Sequence, residues 1–135
     1  MRSDHRVPLV RRRIFSPALF SVTFEAPSLA GAFAPGQFVM LDLPGRARPY
    51  LRRAYSIADA DTSRGEVELL LRRVGPGTAG LEELPEGSVA KLLGPLGNGF
   101  SFGDLAEGQR VAVVAGGIGA APFPALLKAL SWARI

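Results

Sequence analysis

The chain has 135 residues, of which 47% are hydrophobic, and its formal net charge is +4. This length supports one domain with a buried core, or one domain and part of a second. The chain contains no cysteine and a single histidine, His5. These counts exclude disulfides, thiolate metal sites and cysteine-ligated iron–sulfur clusters within the chain, and they argue against histidine metal sites and Ser-His-Asp triads.

Charge and hydropathy favour neither nucleic acid nor membranes as partners. All the basic residues are arginines except Lys91 and Lys128, and no nucleic-acid-binding motif accompanies them. The longest uncharged run, residues 111–127, carries three glycines and two prolines and is too short to span a bilayer. Residues 1–13 are charged and lack the apolar region of a signal peptide. We therefore expect a cytoplasmic protein.

The first part of the chain carries the pattern of short β-strands. In residues 19–26, Phe20, Val22 and Phe24 alternate with polar residues, as in a half-buried strand. We predict a turn region over 31–36, a loop over 44–49 and a short helix over 76–84. Strands are predicted over 7–15, 19–26, 37–43, 52–57, 66–74 and 88–93. Six short strands separated by glycine and proline predict a small antiparallel barrel.

The pattern changes after Gly108. Residues 110–115 form a continuous apolar run, which is typical of a strand buried on both faces of a parallel sheet. Glycines follow at 116, 117 and 119, and a helix is predicted from about Ala121. This order is that of the first β-α unit of a nucleotide-binding domain. We therefore predict a barrel domain over 1–103 and the start of an incomplete NAD-binding α/β domain over 109–135.

The sequence Arg-Ala-Tyr-Ser at 53–56 is the first candidate binding motif. Residues two apart in a strand share a face, so Arg53 and Tyr55 are expected to point the same way. An arginine for a pyrophosphate, an aromatic plane and a hydrogen-bonding Ser56 suit a flavin nucleotide. The alternative interpretation is an exposed edge-strand arginine beside a packed tyrosine.

Three glycine-rich segments are further candidates. Residues 72–78 end in Gly-Pro-Gly-Thr, which suits an anion-binding loop before a helix or a plain turn. Residues 94–100, Gly-Pro-Leu-Gly-Asn-Gly-Phe, demand unusual backbone angles or form a structural turn. The glycines of 116–122 lie between the predicted buried strand and the predicted helix, a context typical of a pyrophosphate-binding loop.

Taken together, these motifs resemble the ferredoxin–NADP reductase superfamily in order and spacing. Residues 35–40, 51–57 and 94–100 are most similar to the electron-transfer subunits of NAD-dependent dihydroorotate dehydrogenases. The resemblance implies a six-stranded Greek-key barrel that binds FAD, followed by an NAD-binding domain. It also implies a [2Fe-2S] cluster held by cysteines near the C-terminus of the full-length protein. Electrons would pass from NADH through FAD and this cluster to an FMN-containing catalytic subunit that oxidises dihydroorotate, a step of pyrimidine biosynthesis.

The resemblance also implies roles for individual residues. The 53–56 motif would hold the flavin and its phosphates, residues 70–72 would line the ribityl and phosphate side, and 77–78 would bind the pyrophosphate. The glycines after residue 115 would begin the NADH site. The implied cofactor-binding set is Arg53, Ala54, Tyr55, Ser56, Leu70, Leu71, Arg72, Gly77, Thr78, Gly116, Gly117 and Gly119.

The chain also departs from the subfamily pattern. The cluster cysteines and most of the nicotinamide domain are absent, so we expect part of a longer subunit that is inactive in electron transfer by itself. Ala54 and Tyr55 stand where the subfamily often has proline and an aliphatic residue. Other ferredoxin reductase-type flavoproteins, such as a sulfide dehydrogenase or hydrogenase diaphorase subunit, remain alternatives, as does a non-catalytic interaction module. Because its tail lacks covering elements, we expect this chain to form a homo-oligomer or a tail-swapped dimer.

Overall fold

A computed structural model describes residues 3–43 and 51–132 of the chain. In these ranges six strands pair antiparallel into a closed barrel with the order β1-β2-β5-β4-β3-β6. The strands β3, β4 and β5 follow one another as neighbours, and β2 lies beside β5, which is a Greek-key arrangement. The strands are β1 (Ser3–Ser16), β2 (Leu19–Glu25), β3 (Phe38–Asp42), β4 (Arg53–Asp61), β5 (Glu66–Arg72) and β6 (Val89–Leu96). The predicted six-stranded antiparallel barrel is confirmed.

The first strand closes the barrel because it has a different partner along each half. Its first half pairs with β6, from Ser3 opposite Gly94 to Pro8 opposite Val89. From Leu9 onward it pairs with β2. A register shift follows Leu9, where the partner changes, and such irregularities bend a strand. A single strand therefore joins the two sides of the sheet.

The barrel core follows from the alternation of side chains along the strands. Phe20 of β2 lies opposite Leu71 of β5, and Val22 lies opposite Leu69. All four side chains are almost completely buried. Because alternate residues of a strand face the same side, this one face of two neighbouring strands fills the interior.

Within the described part of the chain, three α-helices accompany the barrel: α1 (Pro27–Ala32), α2 (Pro76–Glu82) and α3 (Phe123–Trp132). Helix α2 was predicted, whereas α1 occupies a stretch that partly overlaps the predicted 31–36 turn region. Pro27 begins α1, and Leu29 is buried in the barrel core. With six residues, α1 is too short to produce a helical periodicity in the sequence. The predicted 44–49 loop lies outside the described residues.

The predicted strand over 110–115 is wrong. Residues 110–116 form neither helix nor strand, and the Val114 side chain is 90% exposed. An apolar strand of a parallel sheet is stable when neighbouring strands take up its hydrogen bonds, and none lies beside this run within the described residues. A short 3-10 helix, Gly117–Ala120, follows, and the predicted helix forms as α3.

Helix α3 packs against the outside of the barrel of the same chain, close to β4. Its buried side chains are Ala125, Leu126 and Leu130. None of them belongs to the cluster that fills the barrel. Across residues 3–43 and 51–132, no helix combines the length and apolar character needed to cross a membrane.

Candidate functional site

A cavity of about 440 Å³ lies where β4 begins, next to the loop that joins β5 to α2. The strand supplies Arg53 and its two following residues, while the loop supplies a run of glycine and proline. Because the loop turns directly into α2, its backbone stays close to the strand. The cavity is lined by Arg53, Ala54, Tyr55, Val74, Gly75, Pro76, Gly77 and Thr78.

The Arg53 side chain lies across the backbone of Gly77. A Cβ atom on Gly77 would stand 2.6 Å from Arg53 Nε and 3.0 Å from Arg53 Cδ. Both distances are shorter than van der Waals contact, so a Cβ atom on Gly77 would force the Arg53 side chain to shift. No carboxylate among residues 3–43 and 51–132 forms an ion pair with Arg53. Its positive charge therefore remains available at the cavity.

Tyr55 lies two residues further along β4 and lines the same cavity as Arg53. Its ring is half-buried and packs against the barrel core. Burial raises the pKa of the Tyr55 hydroxyl, while the positive charge of Arg53 lowers it by less. The phenol therefore stays neutral at pH 7. Arg53 and Tyr55 thus line one cavity together, as alternation along a strand requires.

The Thr78 hydroxyl holds the loop in shape. Thr78 Oγ1 accepts hydrogen bonds from the backbone N–H of Val74 at 2.9 Å and of Gly75 at 3.3 Å, and it donates to Gly75 O at 3.1 Å. This hydroxyl is therefore engaged within the chain. In α2 the first backbone bond runs from Ala79 N to Gly75 O, so the N–H groups of Gly77 and Thr78 have no acceptor inside the helix.

The other predicted residues near this region take different positions. Ser56 lies next to Tyr55 on β4, opposite Phe38, and does not line the cavity. Leu71 points into the barrel core, so only its backbone could face a ligand. Leu70 is half-buried and Arg72 is exposed at the end of β5, and neither lines the cavity.

The structure does not bring the predicted glycine motif of residues 116–122 into this cavity. Gly116, Gly117 and Gly119 lie on the surface in and beside the 3-10 helix, and a Cβ on any of them would meet nothing within 4 Å. Gly117 has a φ of +55°, which favours glycine. The structure therefore accounts for one of these three glycines by backbone conformation.

Sequence reasoning missed Val74, Gly75 and Pro76 as lining residues, although they stand in the quoted 72–78 motif. The sequence feature that could have identified them is the Gly-Pro-Gly run, because it forms a tight turn of the backbone next to Arg53. The 94–100 motif has a structural part to play: Gln37 Nε2 donates to Gly97 O at 3.0 Å, and Phe100 N donates to Pro35 O at 2.7 Å. The 35–40 and 94–100 motifs therefore contact each other rather than the cavity.

The described residues contain no cluster of three or more histidine, cysteine, aspartate or glutamate side chains arranged to hold a metal ion. Asp59 of β4 and Glu66 of β5 instead take part in ion pairs on the barrel surface. Glu66, for example, accepts a hydrogen bond from Arg11 at 2.8 Å.

Comparisons with known proteins agree with this geometry. The profile of the oxidoreductase FAD-binding domain family matches residues 6–100. The dihydroorotate dehydrogenase B (NAD(+)) electron transfer subunit of Bacillus caldolyticus is 33% identical over 97% of this chain and 51% of its own length. The corresponding subunit of Desulforamulus reducens is 40% identical over 86% of this chain and 44% of its own length. The chain thus spans about half the length of these relatives.

Solved structures give the same result at the level of the fold. The ferredoxin reductase in carbazole 1,9a-dioxygenase superposes with a TM-score of 0.78 and 27% identity, covering 96% of this chain and 38% of that one. A cytochrome P450 reductase from Amycolatopsis gives 0.77 and 26%, covering 98% of this chain and 40% of that one. Both matches extend past the barrel into the segment that carries α3. The chain therefore belongs to the oxidoreductase FAD-binding domain family of the ferredoxin reductase superfamily, with dihydroorotate dehydrogenase B electron transfer subunits among its homologues.

Proposed function

We propose that the cavity at the start of β4 binds FAD, with the Arg53 guanidinium on the pyrophosphate. The observation that carries this proposal is that Arg53 lines this cavity, has no carboxylate partner among the residues that the structure describes, and lies over the backbone of Gly77. A guanidinium donates charge-assisted hydrogen bonds to phosphate oxygens, and a packed side chain loses little rotamer freedom when it does so.

The neighbouring residues have complementary roles in this proposal. The half-buried Tyr55 offers a neutral aromatic surface to the flavin ring. The N–H groups of Gly77 and Thr78, which have no acceptor inside the helix, would be available to a phosphate, and the Thr78 hydroxyl keeps the loop in place for them. Ser56, Leu70 and the backbone of Leu71 would extend the contact along the barrel. When bound, FAD supplies the ability to accept electrons in a pair and release them singly.

At the level of the whole protein, we propose a role in passing electrons through FAD and a [2Fe-2S] cluster between a nicotinamide cofactor and the FMN-containing catalytic subunit of a dihydroorotate dehydrogenase. Because oxidation of dihydroorotate to orotate releases two electrons, the flow in that direction ends at NAD⁺ rather than beginning at NADH. The names of the curated relatives support this role. The cluster ligands would lie outside these 135 residues, because the chain has no cysteine. The NADH site would begin at Gly116, Gly117 and Gly119.

A second candidate is a reductase of the same plan that serves another acceptor. The observation that favours it is the similarity to reductases whose names give other partners, including the ferredoxin reductase in carbazole 1,9a-dioxygenase. The two candidates share the FAD site and differ in the acceptor. Orotate formation after mixing the full-length protein with a dihydroorotate dehydrogenase catalytic subunit, NAD⁺ and dihydroorotate supports the first. If that mixture forms no orotate while the protein reduces a ferredoxin with NADH, the second is supported.

The FAD site is tested by titrating FAD into the chain and following flavin fluorescence. Arg53→Ala should weaken binding by about 10- to 150-fold, since a hydrogen bond to a charged group contributes about 1.5–3 kcal/mol. Arg110→Ala is the matched control, because Arg110 is exposed and does not line the cavity. Equal affinities of the Arg53→Ala variant and the unchanged chain would refute this site.

A further inference from the structure

The Phe100 side chain is fixed to the barrel on one side. Its backbone N–H donates to Pro35 O at 2.7 Å. Gly36 has a φ of +98°, and a Cβ there would stand 2.9 Å from Phe100 Cδ2. The phenylalanine therefore packs tightly against the loop before β3. This contact fixes the end of the 94–100 segment.

On its other side, the Phe100 ring stacks on Phe123, the first residue of α3. The ring centroids are 5.8 Å apart and the ring planes differ by 13°. Offset aromatic pairs at this separation are attractive. Phe100 thus forms a bridge between the barrel and the N-terminal end of α3.

A second contact holds the middle of α3. Lys128 Nζ lies 3.2 Å from Asp59 Oδ1 and 3.1 Å from Asp59 Oδ2, and Asp59 belongs to β4. The same ammonium group lies 5.5 Å from the centre of the Trp132 ring. The ion pair therefore ties the C-terminal half of α3 to the barrel wall.

Between these two contacts, the packing of α3 is incomplete. Its buried side chains belong to no part of the barrel core, and a cavity of about 500 Å³ remains between α3, α1 and the β4–β5 hairpin. Residues 97–122, which lead to α3, contain only one short 3-10 helix. Besides the apolar cluster of Ala125, Leu126 and Leu130, the stacking of Phe123 and the ion pair of Lys128 therefore orient α3 on the barrel.

We propose that Phe100 and Asp59 are positioning residues, which hold α3 and the glycine segment before it in one orientation on the barrel. The proposal concerns how α3 and the residues before it are attached to the barrel, and it does not depend on the FAD site. In this proposal, the contact between the 35–40 and 94–100 motifs holds the Phe100 ring in place, and α3 packs against that ring. Loss of either contact should leave the barrel folded while α3 moves.

Hydrogen exchange of the backbone amides of α3 tests the proposal on the intact chain. Phe100→Leu should speed exchange in α3 by about two- to twelvefold, which corresponds to about 0.5–1.5 kcal/mol for an aromatic pair. Asp59→Asn should speed it by about 1.4- to fivefold, the range for a partly exposed ion pair. The charge swap Asp59→Lys with Lys128→Asp should restore part of the protection. Amides of β2 and β5 should not change.

Matched controls separate positioning from a general loss of stability. Glu68→Gln removes the same charge from the residue opposite Asp59 on β5, without a bond to Lys128. Phe15→Ala removes an exposed aromatic ring that does not contact α3. Neither should change exchange in α3. If Phe100→Leu and Asp59→Asn also leave it unchanged, or if α3 is already unprotected in the unchanged chain, the proposal is wrong.

Spin labels provide a second measurement that reports position rather than stability. The chain has no cysteine, so Glu25→Cys with Leu127→Cys places one label on the barrel and one on α3. The distance distribution should be narrow and should broaden when Asp59→Asn is added. If a Phe100 variant does not fold, this measurement still tests the proposal through Asp59. A distribution that keeps its width after Asp59→Asn would contradict the proposed role of Asp59.

Discussion

The barrel and the segment that follows it are built in opposite ways. In the barrel, each strand pairs on both sides, and the side chains of all six strands share one continuous core. After β6, residues 97–122 are largely exposed, and α3 rests on the outer wall through a small separate cluster. Apolar sequence alone does not build a core, because buried backbone needs hydrogen-bonding partners in the same chain or in another.

The sharpest contrast is expected in the free energy of unfolding. Leu69→Ala in the barrel core should lower it by about 2–5 kcal/mol, because a large apolar side chain is replaced by a cavity. Leu130→Ala in α3 should lower it by less than about 2 kcal/mol, since the surrounding cluster is small and can adjust. Urea unfolding followed by circular dichroism compares the two. Equal losses would mean that α3 and the barrel unfold as one core.

The next effect concerns FAD affinity and the packing of Arg53. Gly77→Ala should weaken FAD binding by about 1.5–3 kcal/mol, because the new methyl group displaces the guanidinium. Gly103→Ala is the matched control, since Gly103 does not line the cavity and a Cβ there meets nothing within 4 Å. Combining Gly77→Ala with Arg53→Ala should cost little more than Arg53→Ala alone. Additive losses would show that Gly77 acts independently of Arg53.

The barrel and the segment after β6 should also differ in self-association, with a smaller effect than the two above. The exposed apolar residues of 111–114 are a template for another chain, so the 135-residue chain should form larger species as its concentration rises. A chain shortened to end at Gly108 should remain monomeric. Light scattering at several concentrations compares them. If both remain monomeric and α3 resists protease in the longer chain, the expected homo-oligomer or tail-swapped dimer does not form.

The smallest effect concerns the pH dependence of barrel stability. Arg11 of β1 reaches Glu66 of β5 at 2.8 Å, and Arg64 approaches the other carboxylate oxygen at 3.2 Å. The hydrogen bond from Arg11 chiefly holds the pKa of Glu66 below its ordinary value of 4.5. Because the folded-state pKa is lowered, this stabilisation is complete above about pH 4.5 and is lost as pH falls through the lowered value.

Glu66→Gln should therefore destabilise the barrel slightly at pH 7 and cause almost no loss near pH 3. Urea unfolding at the two pH values measures the difference. Glu25→Gln, at the position opposite Glu66 on β2, is a suitable control, since Glu25 is exposed. A loss that is the same at both pH values would assign the effect to shape rather than to charge.

These two regions also differ in how well the sequence predicted them. The alternation at Phe20, Val22 and Phe24 identified a strand whose apolar face fills the barrel core. The strand is not half-buried as predicted, because Ser21 and Thr23 on its other face are buried as well. The continuous apolar run over 110–115 indicated a strand only on the condition that neighbouring strands exist. Within the described residues this condition is not met, and the run remains exposed.

The candidate site was likewise predictable where it depends on local geometry. Spacing along a strand placed Arg53 and Tyr55 together, and the Gly-Pro-Gly run marked the loop beside them. Sequence could not indicate that Gly77 serves the packing of Arg53, because this contact depends on how a loop folds back onto a strand distant in sequence. The bonds of the Thr78 hydroxyl are local, since they join it to residues three and four positions earlier at the start of α2.

The two-partner strand β1 also constrains the order of events during synthesis. Residues near the start of the chain pair with residues near Gly94, so the barrel has no closed form until β6 has left the ribosome. Until then, the first half of β1 exposes an unpaired edge. Contacts between such distant parts of a chain slow folding. A pause in translation before β6 has emerged from the ribosome should therefore favour misassembly, whereas a pause after β6 has emerged should be harmless.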